Sequence, residues 1–344
     1  MAKSGRTRAL LAALLAACAA SRPAPAPAPR VEDATLDEPL AYVPAAGLRW
    51  LVEAHPARIF ADSTLKTTLS GVLTPERVAA FAQVTGIDLR TLDEVVVAGY
   101  DLGTLYVTSL ASPDGGRARA RFEARLTTGA VVKHPRPALY RITGTRGGEP
   151  RALVSVDDRV FAAATGDLTL ARIAQAYAER RLKSPTALRG AALSELPARP
   201  NDVFAVFYAP GPFMGAWATA AKGLLAEALA LDVVVEPRDG ATLSATLTAV
   251  GDWNSADVES RMNEAWHDLA DSPTGRLFGL DRAKNVSSVA HLHQLTWSAD
   301  LDVPQLMAGL RAATAANVSE MFDDQGAAPT GAPASSDPAT GPAP

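Results

Sequence analysis

The chain has 344 residues, 48% of them hydrophobic and 20% charged, enough to bury a sizeable core in one large domain or two smaller ones. Its 33 basic and 37 acidic residues leave a net charge of -4, a balance that speaks against a nucleic-acid partner, which needs clustered Lys and Arg on its surface. One cysteine excludes an internal disulfide, so packing alone must hold the fold.

The first eight residues carry Lys3, Arg6 and Arg8 and no acid, and residues 9–17 read ALLAALLAA. A basic start followed by a short apolar stretch ending in small residues is the layout of a secretory signal. As a helix the apolar stretch spans only about 13 Å against roughly 30 Å of hydrocarbon, too short to cross a bilayer. Cys18 follows at once, and AASRPAPAPAPR then places Pro23, Pro25, Pro27 and Pro29 at alternate positions. That composition favours extended polyproline II, and a linker of about fifteen such residues reaches roughly 45 Å.

Leu15-Ala16-Ala17-Cys18 resembles the lipobox of bacterial lipoproteins, with Leu at the -3 position, small residues before the cut and Cys directly after it. The resemblance implies that residues 1–17 are removed, that the Cys18 thiol receives diacylglycerol as a thioether and its new amino group a palmitate-type acyl chain, and that Ala19 sorts the protein to the outer membrane rather than the inner one. Two or three acyl chains suit durable anchoring, because one chain binds a membrane only marginally. The other reading is an ordinary secretory signal, cut after an Ala-x-Ala, in which Cys18 is incidental.

The folded part is expected between residues 35 and 322. The pattern predicts a strand over 48–54, a helix from a Ser63 cap through 73, and a second helix capped by Thr74, with Pro75 at its first position and Gly86 as its stop. Strands 93–100 and 104–110 follow, then a helix over 116–126, a strand at 138–144, a hairpin of 151–156 and 159–165 turning at Asp157-Asp158, and a helix over 168–182. The second half runs as strand 202–209, a long helix over 212–230, a hairpin around Arg238-Asp239-Gly240, a helix over 255–272, a long strand over 286–301 and a helix over 303–321. No apolar stretch in it reaches membrane-spanning length, since 223–235 is interrupted by Glu227 and Asp232.

The order strand, helix, strand pair, helix, strands, helix thus occurs twice. It implies an α+β fold of two similar halves, 35–200 and 201–322, each a mostly antiparallel sheet with packed helices, consistent with a tandem duplication. Antiparallel hairpins argue against a doubly wound nucleotide fold. The stretch 323–344, rich in Ala, Pro, Gly and Asp, reads as a disordered tail.

Three groups of residues carry candidate chemistry. His291 and His293, two apart, would share one face of a strand and could offer two metal ligands, but no third ligand is adjacent, so packed strand histidines are the simpler reading. Glu264 and His267 have the spacing of one half of a di-iron motif whose other half is missing, and the stripe of Val258, Met262, Ala265, Trp266 and Leu269 turns them to solvent. Arg117, Arg121 and Arg125 line one side of a helix and suit anionic head groups or acidic glycans. No nucleophile elbow, zinc-protease, Walker or dinucleotide motif occurs, and an acylated Cys18 would be no nucleophile, so neither a catalytic site, a cofactor nor a metal is expected.

The mature part also resembles the Ala-rich exported lipoproteins of bacteria, with proline spacer, α+β body and ragged tail, a likeness that implies no activity. Taken together, the expectation is a membrane-anchored cell-envelope protein, facing periplasm or surface and attached through Cys18, that acts as a non-catalytic binding or structural module. A carrier of lipid or another apolar ligand is the alternative, and an envelope hydrolase a second one.

Overall fold

The computed structural model describes residues 39–312 apart from 72, 102, 111–114, 180–202, 237–240 and 250–251. The signal segment 1–17, Cys18 with its linker to residue 34, the turn at Arg238-Asp239-Gly240 and the tail 323–344 lie outside the described residues. Within them the strands are β1 (Leu48–Ala54), β2 (Leu92–Tyr100), β3 (Gly103–Leu110), β4 (Thr128–Arg136), β5 (Leu139–Arg146), β6 (Glu149–Val156), β7 (Val160–Gly166), β8 (Ala205–Pro210), β9 (Ala228–Glu236), β10 (Ala241–Ala249), β11 (Lys284–His291) and β12 (Gln294–Leu301). They form one twelve-stranded sheet in the order β11-β12-β10-β9-β8-β1-β2-β3-β7-β6-β5-β4, with neighbours antiparallel throughout.

Five strands on each side of the β8–β1 seam follow the same order outward. β1 and β8 pair at the seam, Leu51 opposite Tyr208 and Ala54 opposite Ala205. From the seam, β1-β2-β3-β7-β6 on one side matches β8-β9-β10-β12-β11 on the other, and the first side adds β5 and β4 at its edge. The helices follow suit. After β1 come α1 (Pro56–Ala61), α2 (Ser63–Leu69) and α3 (Pro75–Thr85), and after β3 comes α4 (Gly115–Ala124). α5 (Thr169–Ala178) follows β7; in the second half the matching places hold α6 (Ala216–Thr219), α7 (Ser255–Asp271) with α8 (Pro273–Phe278), and α9 over 303–312. The fold is the expected mixed α+β, with a mostly antiparallel sheet.

Side chains alternate across a strand, which gives each half its core. On one face Leu51, Val96, Ala98, Leu105, Val107 and Val154 pack beneath α5 and the turn at Tyr42-Val43. On the other, Leu92, Leu110, Leu153 and Phe161 meet α4 through Ala118. The second half packs Leu247 and Leu295 against Val258 of α7, and Trp266 of α7 tilts onto Trp297 of β12 with ring centroids 4.4 Å apart. Each such side chain contributes on the order of 1.5–3 kcal/mol by leaving water. Near the seam, Trp50 lies so close over β2 that a Cβ at Gly99 would stand 2.2 Å from its ring, so only glycine admits it.

Local signals explain several boundaries. The Thr74 hydroxyl accepts from Arg77 N at 3.3 Å, Pro75 opens α3, and Gly86 ends it at φ 78°. α2 differs: its first free N–H groups are met by Asp62, whose carboxylate accepts from Leu65 N at 2.8 Å, so Asp62 and not Ser63 is the cap.

Other expectations are corrected too. The helix over 212–230 breaks into α6 and kinked 3-10 turns over Ala221–Glu227, because Gly215, Lys222 and Gly223 adopt φ of 61°, 54° and 82°, and the chain turns into β9 at Ala228. Only at Ala228-Leu229-Ala230-Leu231 do Ala and Leu alternate, and that period of two begins the strand. The strand over 286–301 is the hairpin β11–β12, turning at Leu292-His293 with Leu292 at φ 51°. β4 and α1 were absent from the sequence pattern: β4 is an edge strand whose Val131 and Val132 are both exposed, so it lacks a clean alternation. Leu269 is 47% exposed and leaves the apolar stripe of α7.

Candidate functional site

His291 ends β11 and His293 lies in the turn, both exposed, so they do not share a strand face. Glu264 and His267 are exposed on α7, where Ser260 donates to Glu264 at 3.5 Å. Among the described residues no group of three or more His, Cys, Asp and Glu is placed to hold a metal ion. Arg117 and Arg121 are exposed on α4, and Arg125 sits half-buried just past its end. No helix of the described residues is long and apolar enough to cross a membrane.

The first half contains a concave site that sequence spacing did not announce. Between α3, α4 and the sheet lies a cavity of about 530 Å³, open to solvent on one side and almost wholly apolar. Alternation builds its floor: Val95, Tyr106, Phe161 and Ala163 project from β2, β3 and β7 opposite the face that carries Val96, Val107 and Ala162. Phe81 and Val84 of α3 form one wall and Ala118 and Phe122 of α4 the other, at spacings that put each pair on one helix face. The walls meet at one end, where a Cβ at Gly86 would come within 2.8 Å of the Arg117 carbonyl oxygen, so glycine lets α3 end against α4.

The lining keeps few polar groups. The Thr85 hydroxyl donates to the Phe81 carbonyl at 2.8 Å and is satisfied. The Thr108 hydroxyl is buried with no hydrogen-bond partner, and Arg125 completes the α4 wall. This volume falls inside the range of about 300–1,000 Å³ common for small-molecule sites. The arrangement can desolvate an apolar group; the lining supplies no nucleophile beside a base.

A second cluster sits where β1 and β2 meet α1. His55 Nδ1 donates to the Asp93 carbonyl at 3.1 Å, which turns Nε2 toward Glu53 at 3.4 Å. The hydrogen bond to Glu53 is the main reason the imidazole holds its proton above the usual histidine range, against the cost of burial. Glu94 has one carboxylate oxygen buried without a partner, and burial first, then the neighbouring Glu53, push its carboxyl up to about 7. None of the three lines the α3–α4 cavity. The signal for this cluster was a charged residue at an inward position of each strand, Glu53 in LRWLVEA and Glu94 in DEVVVAGY.

No family model matches the chain, and no curated protein does. Among solved structures, crystal form I of TP0453 is similar to it with a TM-score of 0.48 at 10% identity, over 80% of this chain and 97% of that one, a likeness too distant to carry any conclusion about activity.

Proposed function

We propose that the protein is a lipid-anchored component of the cell envelope, held at the outer membrane through acyl chains on Cys18, whose body is a non-catalytic binding module for an apolar ligand carried between α3, α4 and the sheet. The cavity is the observation that supports the binding reading: a concave, solvent-open site with a nearly unbroken apolar lining. Burying ten methylenes there would contribute about 8 kcal/mol before the costs of ordering are subtracted, enough for useful affinity. The net negative charge favours such a ligand over nucleic acid. The lipobox supports the address, and the strand order repeated about the seam supports an origin by tandem duplication.

Two measurements test this. Native mass spectrometry after gentle purification is expected to show an adduct that organic extraction removes and that returns on adding lipid; a protein that is repeatedly empty and takes up nothing would sink the binding reading. Radiolabelled palmitate supplied to the producing cells is expected in the wild-type protein and not in Cys18→Ser. Labelling that persists in the variant would refute the anchor.

A further inference from the structure

We infer that the occupant of the α3–α4 cavity is an amphiphile with an anionic head, its tail on the apolar floor and its carboxylate or phosphate on Arg125. This rests on the reading of the cavity as an apolar-ligand site and adds the chemistry of the head. Ala118, Phe122 and Arg125 fall at i, i+4 and i+7, so the guanidinium ends the same helical stripe that forms the cavity wall. Neighbouring arginines are paired: Arg119 reaches Asp158 at 3.1 Å and lies 3.6 Å over the Tyr140 ring, and Arg90 and Arg151 meet Asp88 and Glu149. Arg125 is half-buried, yet it has no ion pair among the described residues. Its place past the last turn of α4 suits a cation, but the helix end cannot satisfy five N–H donors.

The half-buried guanidinium stands on an apolar wall with no counter-ion among the described residues, and a carboxylate or phosphate matches its planar fork with two charge-assisted bonds. Arg117 and Arg121, exposed beside the stripe and likewise without an ion pair among the described residues, extend the positive rim.

The test uses the full mature chain, stripped of lipid, and a fluorescent long-chain fatty acid displaced by palmitate, hexadecanol, a monoacyl phosphate or inorganic phosphate. Palmitate is expected to displace the probe at least about tenfold more tightly than hexadecanol, a difference of about 1.4 kcal/mol. Arg125→Gln should bring palmitate down to the level of the alcohol, leave the alcohol unchanged and keep the wild-type melting temperature, while Arg125→Lys restores part of the preference. Stronger displacement by the monoacyl phosphate assigns the head to a phospholipid and stronger displacement by palmitate to a fatty acid; either supports the proposal. Equal displacement by palmitate and hexadecanol in the wild type overturns it. So does an Arg125→Gln protein weakened equally for both, or displacement by inorganic phosphate as strong as by palmitate. If the alcohol binds without a preference, only the assignment of the head falls; if neither binds, the cavity reading falls as well.

Discussion

Glu94→Gln is expected to stabilise the protein by up to about 3 kcal/mol near pH 8 and to change little near pH 4.5. The Glu94 carboxyl titrates at about 7 in the folded protein against 4.5 as its ordinary value, raised by burial and then by Glu53. Between those two values the folded state holds a proton that the unfolded chain has released, so stability falls as pH rises across that window and stays low above it. At about 1.4 kcal/mol per unit the cost reaches roughly 3 kcal/mol, and Gln removes it because it has no proton to lose. His55 adds to the same trend. Its pKa is raised by Glu53, so its contribution is complete below 6.5 and is lost as pH climbs through its folded value. Arg58 faces the cluster from α1 and Asp93 from β2, and they pull on Glu94 in opposite directions. The acid limb should persist in the variant, since Asp88 and Asp101 are held below their ordinary values by Arg90 and Arg49 and lose that support only as pH falls through their folded values. Urea titrations near pH 4.5, 6 and 8 measure it: a wild type whose stability does not fall across this range, or a variant that follows the same fall as the wild type, would contradict the assignment of Glu94 as a buried, costly carboxyl.

Local chemistry made much of this fold legible. The strand LRWLVEA was bounded correctly because Gly47 turns the chain before it and Pro56 opens a helix after it, and α3 carries its cap, its proline and its terminating glycine in sequence. What failed were segments with two compatible periods. Residues 212–230 are rich enough in Ala and Leu to read as one helix, and only the positive-φ residues Gly215, Lys222 and Gly223 decide the outcome. In 286–301 the unbroken β-pattern hid the turn at Leu292, a residue that seldom adopts positive φ. The arginine stripe on α4 was visible from spacing, but not that Ala118 and Phe122 beside it face a cavity. That depends on β2, β3, β6 and β7 coming together from across a span of some seventy residues, which no local window contains. Glu53 and Glu94 likewise become neighbours only through the pairing of β1 with β2.

The most direct test fills or charges the cavity and reads ligand affinity. Ala163 stands in the floor and Val84, 45% exposed, in the α3 wall. Phe at 163 would occupy space that the tail needs, and Glu at 84 would have to bury a carboxylate against an acyl chain, a penalty of several kcal/mol. Binding of the fluorescent fatty acid to Ala163→Phe and to Val84→Glu is therefore expected to weaken by at least about a hundredfold, or roughly 2.7 kcal/mol. Because Val84 lies on the exposed side of a helix, its variant should keep the wild-type fold and so separates loss of binding from loss of structure. Wild-type affinity in a folded Val84→Glu protein would place the ligand elsewhere and contradict the cavity as the binding site.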